Sequence, residues 1–319
     1  MTEAARHAAV GQVPPDSPVG VDGVPYGQPV LDRLVALLDL ERIEENIFRG
    51  VSPKHSPVRV FGGQVAGQAL VAAGRTVPPE RGVHSLHAYF IRGGDPSVPI
   101  VYDVDRIRDG RSFTTRRVVA IQHGKAIFSL SASFQSVEKG VSHAEKMPSV
   151  PDPETLPTHG ELLTPELKRT FGAFAERPRP IDVRYVSEPP WLSRETGPRD
   201  ARSQVWMRAD GTLPDDPLLQ VCVLAYASDM TLLDAVLARH GVYWGTDNVL
   251  GASLDHAMWF HRPFRADEWV LYDCVSPSAS GGRGLATGRF FTQDGKLIAT
   301  VVQEGLIRIS APPESGHDG

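Results

Sequence analysis

The chain has 319 residues, 41% hydrophobic and 22% charged, with a formal net charge of −5. That is enough apolar material for a substantial core and enough length for two domains. The acidic balance argues against general binding to nucleic acid or to anionic membranes, which relies on clustered positive charge, and leaves small molecules or proteins as partners.

Residues 1–29 are rich in Pro, Gly and Ala and have no apolar h-region, so a disordered N-terminal extension is expected rather than a signal peptide or an anchor. FGGQVAGQALVAAGRTV (61–77) predicts a glycine-punctuated helix. Its GGQVAG lacks the GxGxxG spacing of a dinucleotide fingerprint. Strand-like runs follow, and the HG of QHGKAIFSLSASF (122–134) suits a tight hairpin turn with positive φ. Residues 137–180, rich in Pro, Glu and charge, predict a linker with a short helix at PELKRTFGAFAE. LLQVCVLAYASDMTLLDAVLARHG (218–241) predicts one long helix. Asp229 and Asp234 interrupt its apolar run before it reaches membrane-spanning length, so it is expected to be buried within a soluble protein. Cys222 and Cys274 sit in apolar surroundings and in no disulfide or redox spacing, which suits a reduced, cytoplasmic compartment.

ASLDHAMWFHRPF (252–264) is expected to be a single strand. Strict alternation puts His256 with Met258 and Phe260 on one face, and Ser253, Asp255 and His261 on the other. The two histidines then cannot share an ion. No HExxH or CxxC spacing occurs in the chain, so no metal or other cofactor is expected.

The chain repeats itself. IVYDV (100–104) recurs as VLYDC (270–274), QHGKAIFSLSASF recurs as QDGKLIATVVQEG (293–305), and LHAYFIR (86–92) answers LDHAMWFHR (254–262). Each copy orders an apolar helix before a run of strands. A helix that is apolar nearly all round must be covered, which predicts an antiparallel sheet curled around it.

The runs LERIEENIFRG, RVFGGQVAGQAL, YDVDRIRDGRSFTTRRVVAIQHGK, YASDMTLL, LDHAMWFHRPF and TQDGKLIATVVQEGLIR resemble the acyl-CoA thioesterase II family, the double hot dog thioesterases, across roughly residues 30–310. The resemblance implies an α+β tandem hot dog fold, each half an antiparallel sheet wrapped around a long central helix. Its halves would be an N-terminal domain at 30–136 and a C-terminal domain at 181–312 that carries the catalytic trio. It implies hydrolysis of acyl-CoA to free fatty acid and coenzyme A, no stable membrane association, and a homodimer or dimer of dimers. The family's trio of an aspartate, a serine or threonine and a glutamine falls here on Asp229, Ser253 and Gln303.

Taken alone, each of these residues has a plainer reading: a paired structural aspartate, a hydrogen-bonded strand serine and a glutamine bonded to a neighbouring strand. Taken together they suggest a water held by Ser253 and Gln303 and deprotonated by Asp229, whose basicity burial would raise. No GxSxG elbow supports a nucleophilic serine. Substrate-binding candidates are the helix start at Gly63 and Gln64, as oxyanion donors, and Arg283, toward coenzyme A phosphates. Gly63 and Gly67 equally suit close helix packing, and Arg283 a plain hairpin loop. His84 is a substitute base or a satisfied core histidine. His256 and Trp259 are assigned to packing and hydrogen bonding. Two rival activities remain, an enoyl-thioester hydratase built on a histidine–aspartate pair and a non-catalytic acyl-CoA-binding module.

Overall fold

A computed structural model describes residues 13–53, 59–172, 175–192, 197, 199–244 and 249–309. The N-terminal half contains helix α1 (Gln28–Leu38), strands β1 (Glu41–Glu44) and β2 (Ile47–Gly50), helix α2 (Gly62–Gly74), and strands β3 (Arg81–Phe90), β4 (Ile100–Asp109), β5 (Phe113–Gln122) and β6 (Lys125–Ser136). Short helices α3 (His159–Leu162) and α4 (Pro165–Phe171) lie in the connection. The C-terminal half contains β7 (Ile181–Tyr185), β8 (Arg202–Ala209), α5 (Pro217–Ser228), α6 (Asp234–His240), β9 (Val249–Ser253), β10 (Asp255–Phe260), β11 (Val270–Ser280), β12 (Arg283–Thr292) and β13 (Leu297–Ile309).

The strands form one antiparallel sheet in the order β1-β2-β4-β5-β6-β3-β10-β13-β12-β11-β8-β7, with β9 on β13. The path is a palindrome about the β3–β10 seam, where His87 opposes Ala257. The repeated sequence blocks fall at matching places: IVYDV opens β4 and VLYDC opens β11. The expected hairpin turn is present, with His123 at φ 49° and Gly124 at φ 67°. Positive φ at both central residues matches the right-handed twist of the paired strands.

Both central helices sit in one core. Every residue of α2 from Gly63 to Ala73 is buried, as a helix covered on all sides requires. α2 and α5 run antiparallel in close contact. A Cβ built on Gly63 would lie 2.3 Å from the Tyr226 carbonyl oxygen, and one on Gly67 3.2 Å from that of Cys222. The close-packing reading of these two glycines therefore holds.

Three expectations need correction. The helix expected over 218–241 is two helices, because the chain leaves the helix at Asp229 and re-enters it at Asp234. The Tyr272 hydroxyl donates to the Ser228 carbonyl at 3.1 Å and satisfies a freed helix-end acceptor. The turn is itself buried at Thr231, Leu232 and Leu233, so the apolar run gave no sign of a break. The expected strand 252–264 is likewise two strands. Ser253 pairs with Gly305 and Ala257 with Val302, so four steps on this side oppose three on β13. That one-residue bulge at Leu254 reverses the alternation beyond it.

The third correction concerns the N-terminal extension, of which residues 1–12 lie outside the described residues. Residues 13–27 are held in place. Val19 bridges Pro25, Asp22 pairs with Arg179 at 2.5 Å, and the Gly27 N–H donates to Asp210 at 2.7 Å. These bonds tie the segment to the connection and to the C-terminal half. No helix among the described residues is long and apolar enough to cross a membrane.

Candidate active site

The turn after α5 and the bulge after β9 bring three side chains together. Asp229 caps the C-terminus of α5, Ser253 ends β9, and Gln303 lies on β13 opposite the bulge. The Ser253 hydroxyl donates to Asp229 Oδ1 at 3.0 Å. The Gln303 amide donates to the same oxygen at 3.0 Å and to Ser253 Oγ at 2.8 Å. Asp229 also accepts the Gly63 backbone N–H at the start of α2. Three donors from three other elements thus converge on one carboxylate.

The carboxylate feels opposing influences. Burial pushes the Asp229 pKa up, while His256, Gln303, Ser253 and the Gly63 N–H pull it back; the net direction is upward. The positive end of α2 adds to the restraining side. A second aspartate, Asp234, is 4% exposed and accepts the Tyr185 hydroxyl at 3.3 Å. Burial takes its pKa up to about 8.

Asp229, Ser253 and Asp234 line a cavity of about 610 Å³ between the two halves. Its walls combine apolar Phe90, Phe128 and Leu233 with Arg59, Arg92 and Arg177. Gly62 also lines it, and a Cβ there would lie 2.5 Å from Asp229 Oδ2. The size suits a small-molecule ligand with an apolar portion.

The other binding candidates lie elsewhere. The Gly63 N–H is taken up by Asp229. The Gln64 side chain turns away, donating to Ser52 Oγ at 2.9 Å and to the Val51 carbonyl at 3.2 Å. His84 hydrogen-bonds Ser133 Oγ at 2.8 Å, packs edge-on to Phe113 and is not part of the cavity wall. Arg283 pairs with Glu304 at 2.9 Å, half-exposed on the β11–β12 hairpin and away from the cavity.

His256 is buried and hydrogen-bonded as expected, but on the opposite face from the one the alternation gave it. The bulge turns it to the side of Ser253, and its Nδ1 lies 2.5 Å from Gln303 Oε1. Its Nε2 lies 2.8 Å from Ser228 Oγ. Nothing local in the sequence announces a one-residue bulge. The three wall arginines were also missed, since Arg59, Arg92 and Arg177 come from segments far apart in the chain with no shared motif.

Comparison with known proteins agrees with this architecture. A hot dog protein from Alicyclobacillus acidocaldarius superposes with a TM-score of 0.68 at 22% identity, over 86% of this chain and 97% of its own, which shows the fold. The molecule is a double hot dog protein. The acyl-CoA thioesterase family model matches residues 174–306, and the acyl-CoA thioesterase N-terminal domain model matches residues 51–135. Acyl-coenzyme A thioesterase 8 of Mus musculus is 43% identical over 291 residues, covering 86% of this chain and 89% of its own. The crystal structure of acyl-CoA thioesterase II TesB2 from Mycobacterium marinum gives a TM-score of 0.72 at 48% identity, over 87% of this chain and 99% of that one. The chain belongs to the acyl-CoA thioesterase family.

Proposed function

We propose that the chain hydrolyses fatty acyl-CoA to free fatty acid and coenzyme A, using a water that Ser253 and Gln303 hold and Asp229 deprotonates. As a member of its family the chain is a thioester hydrolase, and the residues and the step are the present reading. One observation carries it: a part-buried carboxylate, bonded by both Ser253 and Gln303, opens onto a partly apolar cavity.

In this reading Asp229 takes one proton from the water, and the oxygen attacks the thioester carbonyl. The carbonyl becomes an oxyanion. On collapse the carbon–sulfur bond breaks, and the proton on Asp229 passes to the leaving thiolate. Such a base contributes roughly 10²–10⁴-fold. With the Gly63 N–H on Asp229, the Gly62 N–H at the first position of α2, on the cavity wall, is the donor proposed for the oxyanion. Arg59, Arg92 and Arg177 supply positive charge to the cavity wall for the coenzyme A phosphates. The hydratase reading is less well supported, because the hydrogen-bond partners of His256 are Gln303 and Ser228 rather than Asp229, so it forms no histidine–aspartate pair at the cavity.

The test is thiol release from straight-chain acyl-CoAs of short to long chain length. Free thiol and fatty acid in equal amounts are expected. Hydration of an enoyl-CoA without thiol release, or binding without turnover, contradicts the proposal.

A further inference from the structure

We propose that His256 is a positioning residue that fixes which end of the Gln303 amide faces Asp229 and Ser253. The inference rests on the hydrolytic reading above. A glutamine side chain presents a carbonyl at one corner and an NH₂ at the other, and the two have nearly the same shape. An ionised carboxylate only accepts, so Asp229 needs the NH₂ corner. If the carbonyl faced Asp229 instead, two acceptors would meet in a buried site, and Asp229 and Ser253 would both lose a donor.

What selects the productive orientation is the group at the other corner. Gln303 is 1% exposed, so solvent does not supply it. His256 Nδ1 lies 2.5 Å from Gln303 Oε1 and is the partner there. With Nδ1 protonated, the imidazole donates to the carbonyl and the NH₂ is left to face Asp229 Oδ1 at 3.0 Å and Ser253 Oγ at 2.8 Å.

The contacts behind the ring accommodate a proton on Nδ1. His256 Nε2 lies 2.8 Å from Ser228 Oγ, and Ser228 Oγ lies 2.9 Å from the Ala225 carbonyl. A neutral ring protonated on Nδ1 accepts the Ser228 proton at Nε2, the hydroxyl then giving up its bond to the Ala225 carbonyl. A charged ring donates at both nitrogens, while Ser228 donates to Ala225. In both states Nδ1 carries a proton. Ser228 directly precedes Asp229, so the contacts close a loop from Asp229 through Gln303 and His256 back to the end of α5. Because His256 does not line the cavity, its effect falls on turnover rather than on substrate binding.

The experiment compares three variants of the full chain in the thiol-release assay at saturating acyl-CoA, with Asp229→Asn in parallel. The amide nitrogen of His256→Asn takes the place of Nδ1. In His256→Gln it takes the place of Nε2, and His256→Leu has no donor. We expect kcat to fall about 100-fold or more in the Leu and Gln variants with KM within about threefold, the loss typical of one preorganised donor. The Asn variant should stay within about tenfold of wild type. A Leu variant with near-wild-type kcat, or an Asn variant no better than the Gln variant, overturns the positioning role. If the Leu variant does not fold, the Asn and Gln pair decides. Full activity in Asp229→Asn would instead overturn the hydrolytic reading, so the two failures are distinct.

Discussion

At the scale of single residues, two aspartates share one cavity, and their surroundings divide their roles. Asp234 has the Tyr185 hydroxyl as its side-chain partner among the described residues, and burial holds it neutral up to about pH 8. Asp229 is also raised by burial, but three donors and His256 restrain the rise. A general base works when deprotonated. A raised pKa therefore moves the acid limb of the kcat profile to higher pH, and activity is lost as pH falls through it. We expect the midpoint of that limb above ~4, the ordinary aspartate value. A pH–rate profile with its acid limb at or below that value would contradict the placement of Asp229 as the base.

Among secondary-structure elements, the site depends on where α2 begins against the end of α5. Gly62 and Gly63 are neighbours with different duties. A methyl group on Gly62 would lie 2.5 Å from Asp229 Oδ2, whereas one on Gly63 would lie 2.3 Å from the Tyr226 backbone oxygen. Gly62→Ala is expected to lower kcat with little change in Tm, because a side chain must move. Gly63→Ala is expected to destabilise the fold by about 1–3 kcal/mol, because two helix backbones must part. Thermal unfolding and kcat measured on both variants check this contrast, and equal effects in the two would refute it. This scale is also where the sequence misled. The period-two pattern in 252–264 put His256 opposite Ser253, and one bulged residue reversed it. The helix pattern ran through Asp229–Leu233 because the turn there buries Thr231, Leu232 and Leu233. Hydrophobic periodicity reports burial, and neither a one-residue bulge nor a turn with a buried side leaves a clear break in it.

For the whole molecule, duplication was legible because both copies kept the same blocks at nearly the same spacing. Asp229, Ser253 and Gln303 were identifiable through family resemblance, since each alone has an ordinary structural reading. The first copy does not repeat the site. The repeat sets Ala132 where the second copy has Gln303, and β-pairing sets Val83 opposite Phe134 as Ser253 is set opposite Gly305. At the C-cap of α2 stands Arg75, where α5 has Asp229. One chain therefore carries one catalytic centre in this account, and the first copy contributes the start of α2 and part of the cavity wall. The start of α2 was already a candidate in the sequence, whereas the wall arginines had no sequence signal, because Arg59, Arg92 and Arg177 come from separate segments with no shared motif.

The central claim is that the Asp229 carboxylate activates the attacking water. The measurement that tests it most directly is kcat for thiol release by Asp229→Asn beside wild type, on whichever acyl-CoA wild type hydrolyses fastest, with Tm recorded for both. The account predicts a loss of ~10²–10⁴-fold in kcat with the fold retained, the range a general base supplies. A folded Asp229→Asn variant that turns over at near the wild-type rate would contradict it.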